Sequence, residues 1–599
     1  MVITKTRFLD LTRCDRFISL ENNLPENVSY DEYEKEKLTS LATENLNGEN
    51  NKNLEAMLPL YKEVEVVSAE VSQKYFDGTF IFAENTKDQK EFIYQDGKIK
   101  YLCYVDIYNE SGNDINIIEV KATTNKKYEE LKSGYERQDK YSIFFFDAKK
   151  NCYYLKDEIN GYNIEKEMPI EKYNQEKAKL FSRFKDVGIY VYDLAVQRFI
   201  IENSLPKSNI HYYLAVLNSH YTFDGNYANG KAIYKADAKG NEVITFIDLT
   251  KVTKEYQEHV RKDAKVLKEN LEKGGSKSFL GDYCMYKQTR ECPYFKTVCG
   301  KSIPANNSSL DYLNNGRGFK MEDGKVLKGL ELINAGYLSM LDIPREVLHN
   351  PKHIIQRDAL ENLTPYIDKE KLKEGLNSLK YPIYHLDFET IPCPLPRFRG
   401  EHPYTQSPFE FSLHIEKEPG VCDELEDNYI FLAKSFNEDE REHLLEKLFK
   451  RVDVEKGCLF AQNVAFEKGR LMELASAFPK YREKITKLVK NSFDLLWLVN
   501  TSSKLYENLG FSEERSKLPN FYDERLSGSY SIKKTLPVFS NLSYKNLNIK
   551  CGNDALASYA TYNYLTEDEL NKCYDDLKIY CRQDTWAMVV ILDELRKLI

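Results

Sequence analysis

Between residues 54 and 76 the apolar positions Met57, Leu60, Val64, Val67, Val71 and Tyr75 recur at the three-and-four spacing of a helix with one buried face. The pattern then switches to a period of two. Tyr101-Leu-Cys-Tyr-Val-Asp106 and Ile117-Ile-Glu-Val-Lys121 read as strands, and Glu110-Ser-Gly-Asn-Asp114 between them has turn composition, so a hairpin is predicted. On its second strand Glu119 and Lys121 share one face, and Ile118 and Val120 share the other. Folding the hairpin brings Asp106 within about one or two ladder positions of Glu119. Farther along, residues 187–199 are predicted to form a helix carrying Gln197, residues 212–217 and 242–247 strands, and residues 253–273 a helix stopped by Gly274-Gly275-Ser276. Residues 13–17 suit a helix start, the Asn-rich stretch 44–53 an exposed loop, and 301–375 a helical connector. A second strand-rich unit opens at Lys380.

A chain of 599 residues exceeds one core, so two or three domains are expected. The net charge of −9 supplies no global basic field, and a nucleic-acid partner would need a local Lys/Arg groove. No apolar run reaches about 18 residues, and the N-terminus lacks an apolar signal core, which predicts a cytoplasmic protein without membrane contact. The twelve cysteines are then expected as thiols or metal ligands rather than disulfides.

Asp106, Glu119 and Lys121 together form an arrangement that can hold Mg²⁺ on oxygen ligands and activate water against a phosphodiester. Glu-x-Lys alone is more often a surface ion pair. Glu63, Glu65 and Glu70 on the preceding helix are candidates for a further carboxylate. Cys284, Cys292 and Cys299 cluster, and with Cys14 they bracket the hairpin from both sides, a four-thiolate set suited to an iron–sulfur cluster or structural zinc. Asp106…Glu119-Val-Lys121 resembles the PD-(D/E)XK nuclease core, with Gln197 placed like the glutamine of its RecB-type branch. The cysteine order resembles the iron–sulfur RecB-like exonucleases, CRISPR-associated ones among them. The resemblance implies Mg²⁺ or Mn²⁺ on Asp106 and Glu119, a catalytic Lys121, and a [4Fe–4S] cluster on the four cysteines, with Zn²⁺ as the alternative. Two features depart from it: Ile201 stands where an aromatic residue usually follows the glutamine, and no upstream His or Glu is evident.

A second constellation begins at Tyr384-His-Leu-Asp387-Phe-Glu389, a strand with two carboxylates on one face. Cys458-Leu-Phe-Ala-Gln-Asn463-Val-Ala-Phe-Glu467 reads as a strand entering a helix. Tyr580 and Asp584 lie at i and i+4 of a C-terminal helix. Converging acids repel unless they hold cations, and two Mg²⁺ ions about 4 Å apart are the usual solution. The order and spacing resemble the DEDD exonucleases of the DnaQ-like, RNase H fold group, in the Tyr-x-x-x-Asp subtype. Carried over, Asp387, Glu389 and Asp584 bind metal, Tyr580 orients water, and Glu467 stands where that group has Asp. Asp494 is a further candidate or a helix N-cap. Arg397-Phe-Arg-Gly-Glu-His-Pro-Tyr404, Phe409-Glu-Phe-Ser-Leu-His414, Gly528-Ser-Tyr-Ser-Ile-Lys-Lys534 and Tyr580-Cys-Arg-Gln-Asp-Thr585 are similar to a bacterial domain family of uncharacterised function, usually found C-terminal to a RecB-like nuclease. His402 and His414 suit structural or substrate-contacting roles better than metal ligation, and Arg397 and Arg399 suit phosphate or a solvated loop.

The expectation is an α/β protein with a RecB-like nuclease domain at 1–300, a connector at 301–375 and an RNase H-like exonuclease domain at 376–599. It would cut DNA, favouring single-stranded ends. The rival expectations are an RNA exonuclease and a nucleic-acid-binding scaffold with one or both sites inactive.

Overall fold

A computed structural model describes residues 1–21, 51–205, 209–286 and 290–599. Residues 44–50 of the expected Asn-rich loop lie outside these, and 51–53 open a helix. By its internal contacts the chain divides into two units, 1–295 with 392–405, and 296–391 with 406–599. Both mix sheet and helix, as the α/β expectation requires.

In the first unit β1 (Val2–Thr4) leads into α1 (Lys5–Leu11), and α2 (Asn51–Tyr75) precedes β2 (Thr79–Phe82), β3 (Lys90–Asp96), β4 (Ile99–Val105), β5 (Ile107–Ser111) and β6 (Asp114–Thr124). Then come β7 (Phe144–Asp147), β8 (Cys152–Leu155), α3 (Gly188–Ser204), β9 (Asn209–Leu217), β10 (Ile244–Asp248) and α4 (Gln257–Lys273). A seven-stranded sheet runs β2-β5-β6-β9-β10-β8-β7, and a small one runs β1-β4-β3. The hairpin forms, but from a later first strand than expected: β5 pairs antiparallel with β6 down to Ser111↔Asp114, with Gly112 at φ +63°, whereas Tyr101–Val105 lies in β4 and pairs with β1 and β3 in the small sheet. β6 also pairs parallel with β9 and packs under α2. It is buried continuously from Ile115 to Thr123, so the polar face carrying Glu119 and Lys121 is interior, and a surface ion pair on an exposed strand is ruled out. α4 stops at Gly274, whose φ of +76° accounts for the glycine.

The second unit is built on β11 (Ile383–Pro392), β12 (Gln406–Glu416), β13 (Asn428–Leu432), β14 (Cys458–Ala461) and β15 (Ser492–Asp494), ordered β13-β12-β11-β14-β15. β14 runs parallel to both neighbours, and β12 antiparallel to β13. α5 (Ala465–Ala477) follows β14, and α6 (Ile532–Phe539), α7 (Gly552–Ala560) and α8 (Glu567–Lys597) complete the unit, with α8 packed across β12. The stretch expected as a connector folds into this unit around its own apolar cluster of Tyr312, Phe319, Leu332, Met340 and Ile343.

Candidate functional site

Strand β11 carries Asp387 and Glu389 on one face, and α8 carries Tyr580 and Asp584 one turn apart. The structure brings them together. Carboxylate oxygens of Asp387, Glu389 and Asp584 lie within 4.8 Å of one another, the single such group of potential metal ligands among the described residues. Asp387 is half-buried, Glu389 and Asp584 are buried, and Tyr580 is 4% exposed. Burial and the charges of Asp584, Glu389 and Glu467 push the Asp387 carboxyl well above its ordinary range. Burial and Asp584 raise Glu389 to about 8. Burial raises Asp584 to about 6, against the pull of the Tyr544 and Tyr580 hydroxyls and the Lys533 ammonium beside it. Three acids kept from ionising by burial, Asp387 and Glu389 also by neighbouring carboxylates, are a donor set suited to a hard divalent cation.

Glu467, at the start of α5, is buried at 2% exposure and lies outside that group of three. One of its oxygens has no hydrogen-bond partner among the described residues, and burial followed by Asp494 raises its carboxyl to about 8. Asp494 is a local brace: its Oδ1 accepts the Asn463 and Leu496 N–H groups at 3.0 and 2.9 Å, and its Oδ2 accepts Val464 N–H at 3.0 Å. It therefore caps the helix Leu495–Val499 and clamps the turn that aims Glu467. His414 spans Thr585 Oγ1 (2.8 Å) and the Glu424 carbonyl (3.0 Å), a structural role.

In the first unit Glu119, Lys121, Asp106 and Gln197 also converge. Gln197 on α3 donates to Glu119 Oε2 at 2.8 Å and to the Tyr104 carbonyl at 3.2 Å. Lys121 Nζ lies 2.9 Å from Glu119 Oε1, and Asp106 Oδ2 accepts the Val120 N–H at 2.8 Å. Two members were not anticipated. Lys5 Nζ sits 2.5 Å from Glu119 Oε1, and Asp193 pairs with both Lys121 (2.5 Å) and Lys5 (3.3 Å). Burial alone would raise Glu119, but Lys121 and Lys5 hold it well below the usual carboxylate range. Asp193 could have been found, since it stands at i−4 to Gln197 on one helix face; nothing in Thr4-Lys5-Thr6 marks Lys5. Of the three acids offered on α2, Glu65 is buried at 3% exposure while Glu63 and Glu70 are exposed. Among the three, Glu65 alone is therefore buried with the strand face rather than turned to solvent.

The N-terminal segment and the segment bearing Cys284 and Cys292 meet. Arg13 Nη1 donates to the Arg290 carbonyl at 3.3 Å, Phe17 packs edge-on to Tyr294 at 5.2 Å, and the Cys292 N–H donates to the Cys284 carbonyl at 3.0 Å. Cys14, Cys284, Cys292 and Cys299 are not among the grouped potential ligands of the described residues, and Cys299 belongs to the second unit. Residues 392–405, which hold the Arg397–Tyr404 motif, pack in the first unit: Gly400 N–H donates to the Phe223 carbonyl, Phe223 N–H to the Glu401 carbonyl, and His402 Nδ1 lies 2.6 Å from the Tyr221 carbonyl oxygen. His402 is thereby structural.

Residues 384–531 match the domain family of unknown function DUF2779. Over 243 residues the chain is 28% identical to an uncharacterised protein of Mycoplasma genitalium, covering 38% of this chain and 34% of that protein. Over a further 243-residue comparison it is 26% identical to an uncharacterised protein of Ureaplasma parvum, covering 37% and 32%. The chain thus spans about a third of the length of these relatives. No solved structure matches. The matched segment holds Asp387, Glu389, Glu467 and Asp494 and stops before Tyr580 and Asp584, so the residues of the acid centre come partly from a region similar to that uncharacterised family and partly from the helix beyond it.

Proposed function

We propose that this protein is a metal-dependent nuclease, with an exonuclease centre at Asp387, Glu389 and Asp584 and a second, RecB-like site at Asp106, Glu119, Lys121 and Gln197. The observation that carries the reading is the convergence of three carboxylates, from a strand and a helix nearly two hundred residues apart, to within 4.8 Å. A divalent cation bound there would supply Lewis acidity, making water more acidic and offsetting charge on the phosphate. Asp387, Glu389 and Asp584 hold and orient it through their oxygens. Tyr580, one helical turn from Asp584, positions the attacking water by its hydroxyl, and Lys533, exposed at the edge of the site, faces the phosphate charge. The substrate is DNA entered from a single-stranded end, because a paired duplex cannot thread a recessed acidic site.

The test is cleavage of labelled single-stranded and duplex DNA and RNA in Mg²⁺ or Mn²⁺ by the parent, D387A and E119A. Loss in D387A alone assigns the activity to the second unit. Intact substrate with all three proteins defeats the proposal. One observation favours a second reading, in which the first unit binds nucleic acid without cutting it: the Glu119 carboxylate is already paired with two ammonium groups, Lys5 and Lys121. On that reading E119A cleaves as well as the parent does.

A further inference from the structure

Glu410 lies on β12 in register with Ser412 and His414, and both of those side chains meet Thr585 Oγ1, at 2.7 and 2.8 Å. Thr585 directly follows Asp584, so this face of β12 is turned toward the helix that supplies the third acid of the trio. Glu410 is fully buried at 0% exposure. Neither of its oxygens has a hydrogen-bond partner among the described residues. Two neighbours in the same unit show how a structural acid is normally satisfied. Asp494 accepts three backbone N–H groups, and Glu416 pairs with Arg596 at 2.6 Å and His385 at 3.0 Å. Lys578, whose charge reaches Glu410, pairs instead with Asp575 at 3.8 Å. The surroundings include the buried Cys581 and Tyr562, which give the carboxyl no compensation. Burial, then Glu389 and Asp584, push Glu410 well above its ordinary range, placing it within the field of the trio. A buried carboxyl with both oxygens idle is costly unless something absent from the bare chain satisfies it.

We infer that Glu410 is a fourth carboxylate of the acid centre, donating an oxygen to a divalent cation bound beside Glu389 and Asp584. The inference rests on the metal-centre reading above and adds a ligand from the neighbouring strand. Like Glu467, Glu410 stands outside the 4.8 Å grouping of the trio in the bare chain, but both of its oxygens are idle against one of Glu467's.

The test uses the full-length protein and Mn²⁺ alone as the probe, read by thermal melting and by Mn²⁺ titration calorimetry or electron paramagnetic resonance. The parent is expected to gain melting temperature with Mn²⁺, and D387N to lose that gain. E410Q is expected to melt at or above the parent in chelator yet bind Mn²⁺ about tenfold more weakly, as loss of a ligand does. Should E410Q be insoluble, E410L serves in its place with the same expectation. Parent-like Mn²⁺ affinity in the Glu410 variant, with D387N defective, overturns the inference and leaves the metal centre standing. Equal Mn²⁺ behaviour of the parent and D387N removes both.

Discussion

Glu119 and Glu389 occupy similar positions, each on a strand inside its sheet, yet their carboxyls are driven in opposite directions. Lys121 and Lys5 outweigh burial at Glu119, whereas Glu389 meets burial and Asp584 without an ammonium in contact. Glu119 is therefore ionised in the bare protein and Glu389 holds its proton. Two expectations follow at this scale. K5M leaves Glu119 and Asp193 sharing one lysine in a buried setting, and denaturant unfolding should show a loss of about 3 kcal/mol; a loss below about 0.5 kcal/mol would show that Lys5 is held only loosely. With chelator present, Glu389 (about 8) and Asp584 (about 6) keep protons in the folded chain that they give up near 4.5 and 3.8 when unfolded. The folded state then binds more protons than the unfolded one between about pH 4 and 8, and stability falls as pH rises through that window. Melting curves in chelator should decline from about pH 5 to 8, and Mg²⁺ should flatten the decline. A third expectation concerns Lys533, whose Nζ stands 5.8 Å from the Tyr544 ring centroid and whose charge acts on both Glu389 and Asp584. K533Q should raise KM for single-stranded DNA several-fold, leave kcat nearly unchanged, and reduce the salt slope of binding by about one.

At the scale of elements, what the sequence shows is what a single element encodes. The pair Asp387/Glu389 at i, i+2 on a strand and the pair Tyr580/Asp584 at i, i+4 on a helix are both legible, because each spacing is the period of its own element. So is the helix bearing Gln197; the hairpin beside Glu119 was legible only in part, since its first strand is Ile107–Ser111 and the expected Tyr101–Val105 strand joins the other sheet. Convergence of the two acid pairs belongs to the packing of α8 across β12 and β13, which no local period records. Glu410 was missed for a related reason. In Phe409-Glu-Phe-Ser-Leu-His414 the alternation reads as one apolar and one solvent face, whereas α8 covers the polar face, and Glu410, Ser412 and His414 are all 0% exposed. Gly528, in the Gly528–Lys534 motif, also has a tertiary reason. Its φ is +72°, and a methyl group there would overlap the Asp311 carbonyl oxygen. G528A should cost about 2 to 3 kcal/mol by the same unfolding measurement, and a neutral result would mean that the Asp311 loop gives way.

At the scale of the whole molecule, composition anticipated more than one folding unit and mixed α/β structure. The net charge of −9 had placed no nucleic-acid groove. The ends of the units were less legible. The motif at Arg397–Tyr404 reads in sequence as part of the segment 384–531, but its contacts to Tyr221 and Phe223 are those of the first unit. Its polar and aromatic residues brace a fold that begins some four hundred positions earlier.

The membership of residues 392–405 in the first unit has a consequence for anyone dissecting the protein. The chain passes from one unit to the other at three junctions, 295/296, 391/392 and 405/406, so no single scission separates the units cleanly. A fragment starting near residue 376 would carry Leu395 and Phe398 stripped of their covering, and one ending near 300 would lack the peptide that backs Tyr221 and Phe223. Fragments of either kind should be poorly soluble when made singly and recover when co-expressed, as complementing halves that exchange this one peptide.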